Sequence, residues 1–293
     1  MNRYLKHIDQ QIEFNQGKNI LQDDSHLSLK FIDETIRAIS ALGESDTETE
    51  EFLIDYTVAK VLEEFCRINQ YYTFEKLAIN DLKLIYRELF RDIRVRKDVL
   101  DKVSKNHYAK LKHWLLKTNS FAGKLYAGTD LIEPVACEEY SAELQVSILG
   151  IEPGRLTEPV LDIGCGRQAK LVGYLCKLGI EAYGIDRFSF STVNLINTDW
   201  LEYSYGIKKW GTIISNLGFS NHFKHHNLRQ DGNYLGYARK YMEILNSLQP
   251  GGTFHYAPDL PFVESYLNKT EFRVVKHHIG EFDFKASHLI RLK

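Results

Sequence analysis

The 293-residue sequence is poor in proline, with six in all and none before Pro134. Nothing in its first half therefore interrupts a helix at the backbone level. Cysteine is equally scarce: Cys66, Cys137, Cys165 and Cys176 form no CxxC pair, and four thiols in so long a chain are not a disulfide framework. No run approaches the roughly 18 apolar residues of a membrane span. The opening residues MNRYLKHIDQQIEFNQ lack an apolar core and a small-residue cleavage site, which excludes a secretory signal. A soluble protein of the reducing cytoplasm, with no membrane partner, is the expectation. Net charge is lacking too: 37 basic and 39 acidic side chains leave −2, so this is not a polycation built to coat nucleic acid.

What is present is an ordinary globular mixture, 44% hydrophobic and 26% charged, long enough for two average domains or one large one. Aromatics reach 12%, with 17 Tyr and 16 Phe, which points to aromatic-rich packing or an aromatic-lined pocket.

The first half reads as successive helices. Residues 25–42 place Leu29, Ile32, Ile36 and Ile39 at helical spacing. A second helix is expected within GESDTETEEFLIDYTVAKVLEEF, with Ser45 or Asp46 as cap and Thr47-x-x-Glu50 as a capping box. The spacing predicts another over 77–103 and a further one over 108–116. Charge is segregated here. Residues 33–64 carry ten acids and two bases, a balance of −8, and residues 83–124 carry twelve bases and four acids, a balance of +8. The basic run, with Arg87, Arg91, Arg94, Arg96 and Lys97, is either a nucleic-acid face or the electrostatic complement of the acidic helix. The opposite, equal totals favour the second reading, and no aromatic-interleaved RNA motif supports the first.

From Glu158 the text changes to short β-rich runs alternating with helices: PVLDIG, a helix over 168–178, IEAYGID, VNLIN, GTIISN, a helix over 234–248 ended by Pro250-Gly251-Gly252, TFHYA, and a closing pair FRVVKHH and SHLIRLK. This alternation implies an open, mostly parallel sheet with helices on both faces. The organisation expected is an all-helical region over 1–130, acting as lid, recognition module or dimer surface, and an α/β domain over 131–293.

The most informative string is Val160-Leu161-Asp162-Ile163-Gly164-Cys165-Gly166. An apolar strand runs into an acid and two glycines before a helix, where backbone can approach a ligand closely. Ala169 stands where a dinucleotide fingerprint has its last glycine, so glycine count alone does not choose the ligand. The acid two residues before the first glycine suits a ligand ammonium better than a pyrophosphate. Asp186 ends the next strand, about 20 residues on, where a carboxylate accepts from ribose hydroxyls. Asp199 ends the strand after it, followed by Trp200. The ligand implied has an amine, a ribose and an aromatic base.

VLDIGCG, YGID, NTDW, TIISN and LQPGGTF, in this order, resemble the class I S-adenosylmethionine-dependent methyltransferases over about residues 135–293. The resemblance implies a Rossmann-like methyltransferase domain with S-adenosyl-L-methionine as cofactor. It implies that Asp162, Gly164, Cys165 and Gly166 frame the methionine end, that Asp186 and its neighbour Arg187 hold the ribose, and that Asp199 reaches the adenine amino group with Trp200 or Phe188 beside the ring. Asn216 ends the strand whose tip faces the methyl group. A helix over 138–149, with Glu139 and Tyr140, borders the cofactor. Cys165 reads as a small buried filler rather than a nucleophile. Two departures stand out: Gln168 replaces a frequent glycine, and only RFSFST separates Asp186 from the next strand, too short for the usual crossover helix. The helical region or a second subunit would cover the sheet there, and a homodimer is compatible with that.

The segment LGFSNHFKHHNL after Asn216 lacks the Asn/Asp-Pro-Pro-Tyr pattern of adenine amino methyltransferases. His222, His225 and His226 offer neutral bases for removing a proton from the acceptor. They read equally well as loop surface residues. As metal ligands they lack a completing carboxylate or cysteine, so no metal is expected. The segment HYAPDLPF, from His255 to Phe262, is either another pocket wall or a proline-shaped turn. The reading is a methyltransferase acting on a small molecule. The alternatives are an RNA or protein methyltransferase using the basic 83–124 surface, and a non-catalytic scaffold or sensor that binds the cofactor.

Overall fold

The amphipathic repeats of the first half fold as helices in a computed structural model, which describes residues 2–22, 29–43, 47–95, 100–126, 140–188, 190–280 and 284–293. The chain forms two units, Met1–Cys137 and Glu138–Lys293. The first contains α1 (Asn2–Phe14), α2 (Asp33–Ser40), α3 (Thr47–Ile68), α4 (Lys76–Val95), α5 (Leu100–Thr118) and the short α6 (Phe121–Leu125). Leu53, Ile54, Leu82, Phe90, Ile93, Leu111 and Leu115 meet in its core. Trp114 stacks on Phe74 with ring centroids 4.9 Å apart and donates its indole N–H to the Ala78 carbonyl at 2.8 Å.

Two expectations change here. The helix expected over 25–42 is confined to α2. The backbone before it is bound by side chains of α1: Gln11 accepts from Ile32 N and donates to the Lys30 carbonyl, and Asn15 also donates to that carbonyl. The stretch expected as one helix over 77–103 ends at Val95, and α5 runs from Leu100 through the separate helix expected at 108–116. The Trp114–Ala78 bond requires α4 and α5 to lie side by side rather than end to end. The cap residues Ser45 and Asp46, and also Arg96, Lys97 and Cys137, lie outside the described residues. The basic block is neutralised in part by the acidic one, through three pairs from α4 to α3, and in part by acids of α4 itself. Lys83, Arg87 and Arg94 of α4 pair with Asp55, Glu51 and Glu50 of α3, and Lys110 and Lys117 of α5 pair with Glu88 and Asp81 of α4. Exposed pairs of this kind contribute about 0–1 kcal/mol each, so they set helix neighbours more than stability.

The second unit contains α7 (Ala142–Leu149), β1 (Val160–Ile163), α8 (Lys170–Lys177), β2 (Ala182–Asp186), β3 (Leu195–Asn197), β4 (Trp210–Asn216), α9 (Phe219–Leu228), α10 (Tyr234–Ser247), β5 (Leu248–Ala257), α11 (Pro261–Glu264), β6 (Phe272–His278) and β7 (Lys285–Arg291). The strands form one sheet in the order β3-β2-β1-β4-β5-β7-β6, with β7 alone reversed. This is the Rossmann-like α/β fold, with the expected closing pair β6–β7. Period-two alternation sends Val160, Ala182, Ile214, Ala257 and Ala286 to the face covered by α7 and α8. Leu161, Ile185, Ile213, Phe254 and Tyr256 face α9 and α10. The order reverses between β1 and β4, so their carboxyl ends open a crevice.

Ser141 caps α7 by accepting from Leu144 N at 3.2 Å. The helix is shorter than the 138–149 expected; Glu138 and Glu139 lie outside the described residues. The segment after Asn216 is α9, not a loop. The helix over 234–248 stops at Ser247, and the Pro250-Gly251-Gly252 run lies inside β5 rather than ending that helix. Between β2 and β3 the described residues hold no helix, as the short RFSFST spacing requires. Among the described residues no helix is long and apolar enough to cross a membrane.

On the α7 face, His255 of β5 and His288 of β7 are directly paired across strands, and their rings stack at 4.1 Å. Burial, with His288 and His277 nearby, pulls His255 down to about 3. A histidine depressed in the folded state takes up its proton on unfolding, so stability is retained above the ordinary pKa of about 6.5 and lost as pH falls below it. Chemical denaturation is expected to show about 2 kcal/mol less stability from this residue at pH 5 than at pH 8. His255→Phe, which keeps a ring in place, should remove that part of the pH dependence; an unchanged dependence refutes the assignment.

Candidate functional site

The crevice begins where β1 ends. Gly164 (φ +78°) and Gly166 (φ +76°) both adopt left-handed backbone, which glycine enters without strain. Gly164 N continues the ladder to the Ile185 carbonyl at 2.9 Å. Gly166 N donates to Asp186 Oδ2 at 2.9 Å, and Arg187 N donates to Oδ1 of the same carboxylate at 2.7 Å. The acid at the end of β2 thus fixes the loop at the end of β1. At Gly164 the left-handed backbone disfavours any other residue, and a Cβ would stand a tight 3.0 Å from the Trp200 ring. Cys165 is buried against Gly184 of β2, whose Cβ would lie 2.8 Å from the Cys165 sulfur. That is the environment of a packing residue.

Asp162 sits beneath this loop, 2% exposed. Its Oδ2 is buried and has no hydrogen-bond partner among the described residues. Burial, and then the nearby charge of Asp186, push its carboxyl up to about 8. Asn216 ends β4 on the same sheet face: Asp162 is in register with Ile214, and the next residue on that side is Asn216. Its Oδ1 is likewise buried and without a partner among the described residues. Two unmatched polar atoms at one strand edge point to a polar ligand, because such groups are costly to leave unpaired.

Beyond β3, Asp199 accepts from Leu201 N at 2.7 Å, and burial raises its pKa. Trp200 meets His222 edge-on at 4.8 Å, and its indole N–H approaches the Tyr237 oxygen at 3.4 Å. Tyr237 lies 3.5 Å from His222 Nδ1. The indole can only donate, so the phenol oxygen accepts from it and its own hydrogen is available to His222. The positive charge of Arg187 acts on both Asp199 and His222. Arg167 lies over the Phe188 ring at 4.6 Å. The glycine loop, the acids, Arg187, Trp200 and His222 are therefore brought to one edge.

The three histidines are not a convergent loop cluster. They lie on α9, and each has a different environment. His222 is buried against Trp200, and its pKa falls well below the ordinary value, first through burial. His225 is half-buried beside Arg229, 3.2 Å away. His226 stacks on Tyr237 and accepts from Asn233 N at 3.1 Å, which fixes the α9–α10 turn. Among the described residues no group of three metal-binding side chains is arranged to hold a metal ion. In the HYAPDLPF segment, Pro261 opens α11, Asp259 pairs with Lys276, and His255 packs on the sheet, so the prolines shape a turn. Glu139 lies outside the described residues; Tyr140 directly precedes the cap of α7.

Sequence reading missed Ser215 and Tyr237. Ser215 Oγ donates to the Ile163 carbonyl at 2.9 Å and accepts from Phe219 N at 3.0 Å, joining β1, β4 and α9. This supports the sharp turn at Leu217, which takes φ +54° without being glycine. Neither residue has a spacing that distinguishes it from core.

No family model matches the chain, and no curated protein matches it in sequence. Solved structures do. An rRNA methylase from Streptococcus thermophilus is 14% identical, with 54% of this chain and 100% of that one aligned at a TM-score of 0.36. The plantazolicin methyltransferase BpumL in complex with SAH is 15% identical over 52% of this chain and 83% of its own, with a TM-score of 0.35. The 1,6-didemethyltoxoflavin-N1-methyltransferase of Burkholderia thailandensis, with its substrate and S-adenosylhomocysteine bound, is 15% identical over 52% and 76%, with a TM-score of 0.34. At these values the likeness decides nothing about what this chain binds.

Removing the Ser215 hydroxyl leaves a buried carbonyl and a buried N–H each short of a partner. Ser215→Ala is expected to cost about 1–3 kcal/mol in urea denaturation. A cost near zero contradicts the bridging role.

Proposed function

We propose that the Glu138–Lys293 unit binds S-adenosylmethionine and directs its methyl group to a small-molecule acceptor. The observation that carries this reading is Asp162: a buried carboxyl with an unmatched oxygen, beside two left-handed glycines at the carboxyl end of β1. An ammonium group is the natural counterpart of such an acid, since it meets the unmatched oxygen and lets the carboxyl give up its proton without leaving an unpaired buried charge.

The chain's own residues fit the rest of that ligand. Asp162 would meet the ammonium and the glycine loop the amino-acid backbone. Asp186 would accept from the ribose hydroxyls beside Arg187. Asp199 would accept from the adenine amino group, with Trp200 and Phe188 available to the ring. Asn216 would face the methyl end. When bound, the cofactor supplies a methyl carbon made electrophilic by its sulfonium. The protein's task is then alignment of the acceptor and exclusion of water. His222 is the histidine best placed at this edge, but its burial keeps it neutral and weakly basic, which suits shaping the pocket and orienting an acceptor more than storing a proton. His225 and His226 are engaged elsewhere. The pairing of Lys83, Arg87 and Arg94 with acids of α3 takes three cations from the basic run and weakens the support for an RNA acceptor.

Calorimetry with S-adenosylhomocysteine tests the first step. Wild-type protein is expected to bind and to release a proton at pH 7, because Asp162 loses its proton opposite the ligand cation; titrations in buffers of different ionisation enthalpy read this. Asp162→Asn should abolish the release and weaken binding about ten- to a hundredfold. Asp186→Ala should abolish binding. Absence of binding by the wild-type chain overturns the proposal. Labelled S-adenosylmethionine with a cell extract, split into small-molecule, RNA and protein fractions, then reads the acceptor. Label in the RNA or protein fraction replaces the small-molecule acceptor, and binding without transfer leaves a cofactor-binding scaffold.

A further inference from the structure

Between α1, α3, α4 and α5 of the Met1–Cys137 unit lies a half-open pocket of about 110 Å³. Its walls are mostly apolar and aromatic: Phe65, Tyr72, Tyr86, Tyr108 and Leu111, with His107 among them. An apolar cavity of about 150 Å³ is known to take up benzene, so this one is of the order needed for a single ring.

The polar groups at the pocket are mostly paired. Asn15 donates to Tyr108 Oη at 2.8 Å and accepts from Lys18 Nζ at 3.2 Å, and Glu64 holds Arg67. His107 and the Tyr86 hydroxyl have no hydrogen-bond partner among the described residues. His107 is 4% exposed, and its Nδ1 is buried. Aromatic rings surround it: Tyr86 edge-on at 4.9 Å, Tyr108 at 5.3 Å and Phe31 at 5.8 Å. Burial lowers its pKa to about 3, so it is a neutral imidazole able to accept a hydrogen bond.

We propose that this pocket is a binding site for a small planar ring compound carrying one O–H or N–H donor, which the neutral His107 imidazole accepts while the aromatic walls take the ring. This site is separate from the methyl-transfer reading and stands or falls without it.

Fluorine NMR on the full chain tests it with 4-fluorophenol and fluorobenzene. Saturable broadening of the 4-fluorophenol signal is expected, with affinity at least fivefold above that of fluorobenzene. His107→Phe keeps an aromatic ring and should bring the two probes to equal affinity. Val61→Phe, which adds bulk to a lining position, should abolish binding of both. Saturating S-adenosylhomocysteine should leave 4-fluorophenol bound. The proposal is overturned by no saturable binding to wild-type protein, by equal affinity for the two probes, or by displacement on adding S-adenosylhomocysteine. The two-probe comparison needs no variant, so it decides even if a substitution prevents folding.

Discussion

One carboxylate organises the sheet edge. Asp186 accepts from Gly166 N and Arg187 N, and so ties the turn after β1 to the end of β2. Backbone bonds from Gly164 N and Cys165 N to the Ile185 carbonyl and from Ala169 N to the Gly166 carbonyl complete the turn, and Ala169 leads into α8 in a left-handed conformation with no side-chain cap. Asp186 also has an electrostatic consequence, because its charge helps to suppress ionisation of Asp162 beneath the loop. The residue that shapes the loop thereby keeps its neighbour in need of a cation.

The two faces of the sheet divide the labour. The α7 and α8 face carries small residues and polar atoms, with Gly184 admitting Cys165 and with Asp162 and Asn216 at the edge. The α9 and α10 face is packed with rings, among them Phe219, Phe223, Tyr237, Tyr241 and Tyr256. Ser215 bonds across the strand ends and starts α9 from the second face. A rigid aromatic layer on one side thus fixes the strand tips at which the other side presents unpaired oxygens. Trp200 joins them, lying against Gly164 on one side and His222 on the other.

What the sequence revealed follows from how local each signal is. Strand, acid and glycine occur within seven residues from Val160 to Gly166, and a turn of that kind is decided by its own residues. The paired charge blocks were legible because opposite totals on neighbouring helices need no geometry to predict attraction. α2 was overextended because its start is set by Gln11 and Asn15, side chains roughly 20 residues away, which compete for the backbone of Lys30 and Ile32. α9 was hidden by its histidines. Its buried positions Phe219, His222, Phe223 and His226 have helical spacing, but two of the four look polar in a text. Ser215 and Tyr237 gave no signal, since a core hydroxyl shows its role only through its partners.

The histidines show why residue type alone does not define chemistry. In solution each would titrate near neutrality and qualify as a base. In this chain, burial holds His107, His222 and His255 uncharged, and aromatic rings surround two of them, so they behave as polar members of the core. A proton acceptor at the sheet edge would need exposure or a neighbouring carboxylate to sustain its charge, and His222 instead has Arg187 nearby, which opposes it. The edge is therefore better built to hold a ligand in place than to move its protons. For the proposed methyl transfer, that suits a step whose difficulty lies in bringing two centres into line.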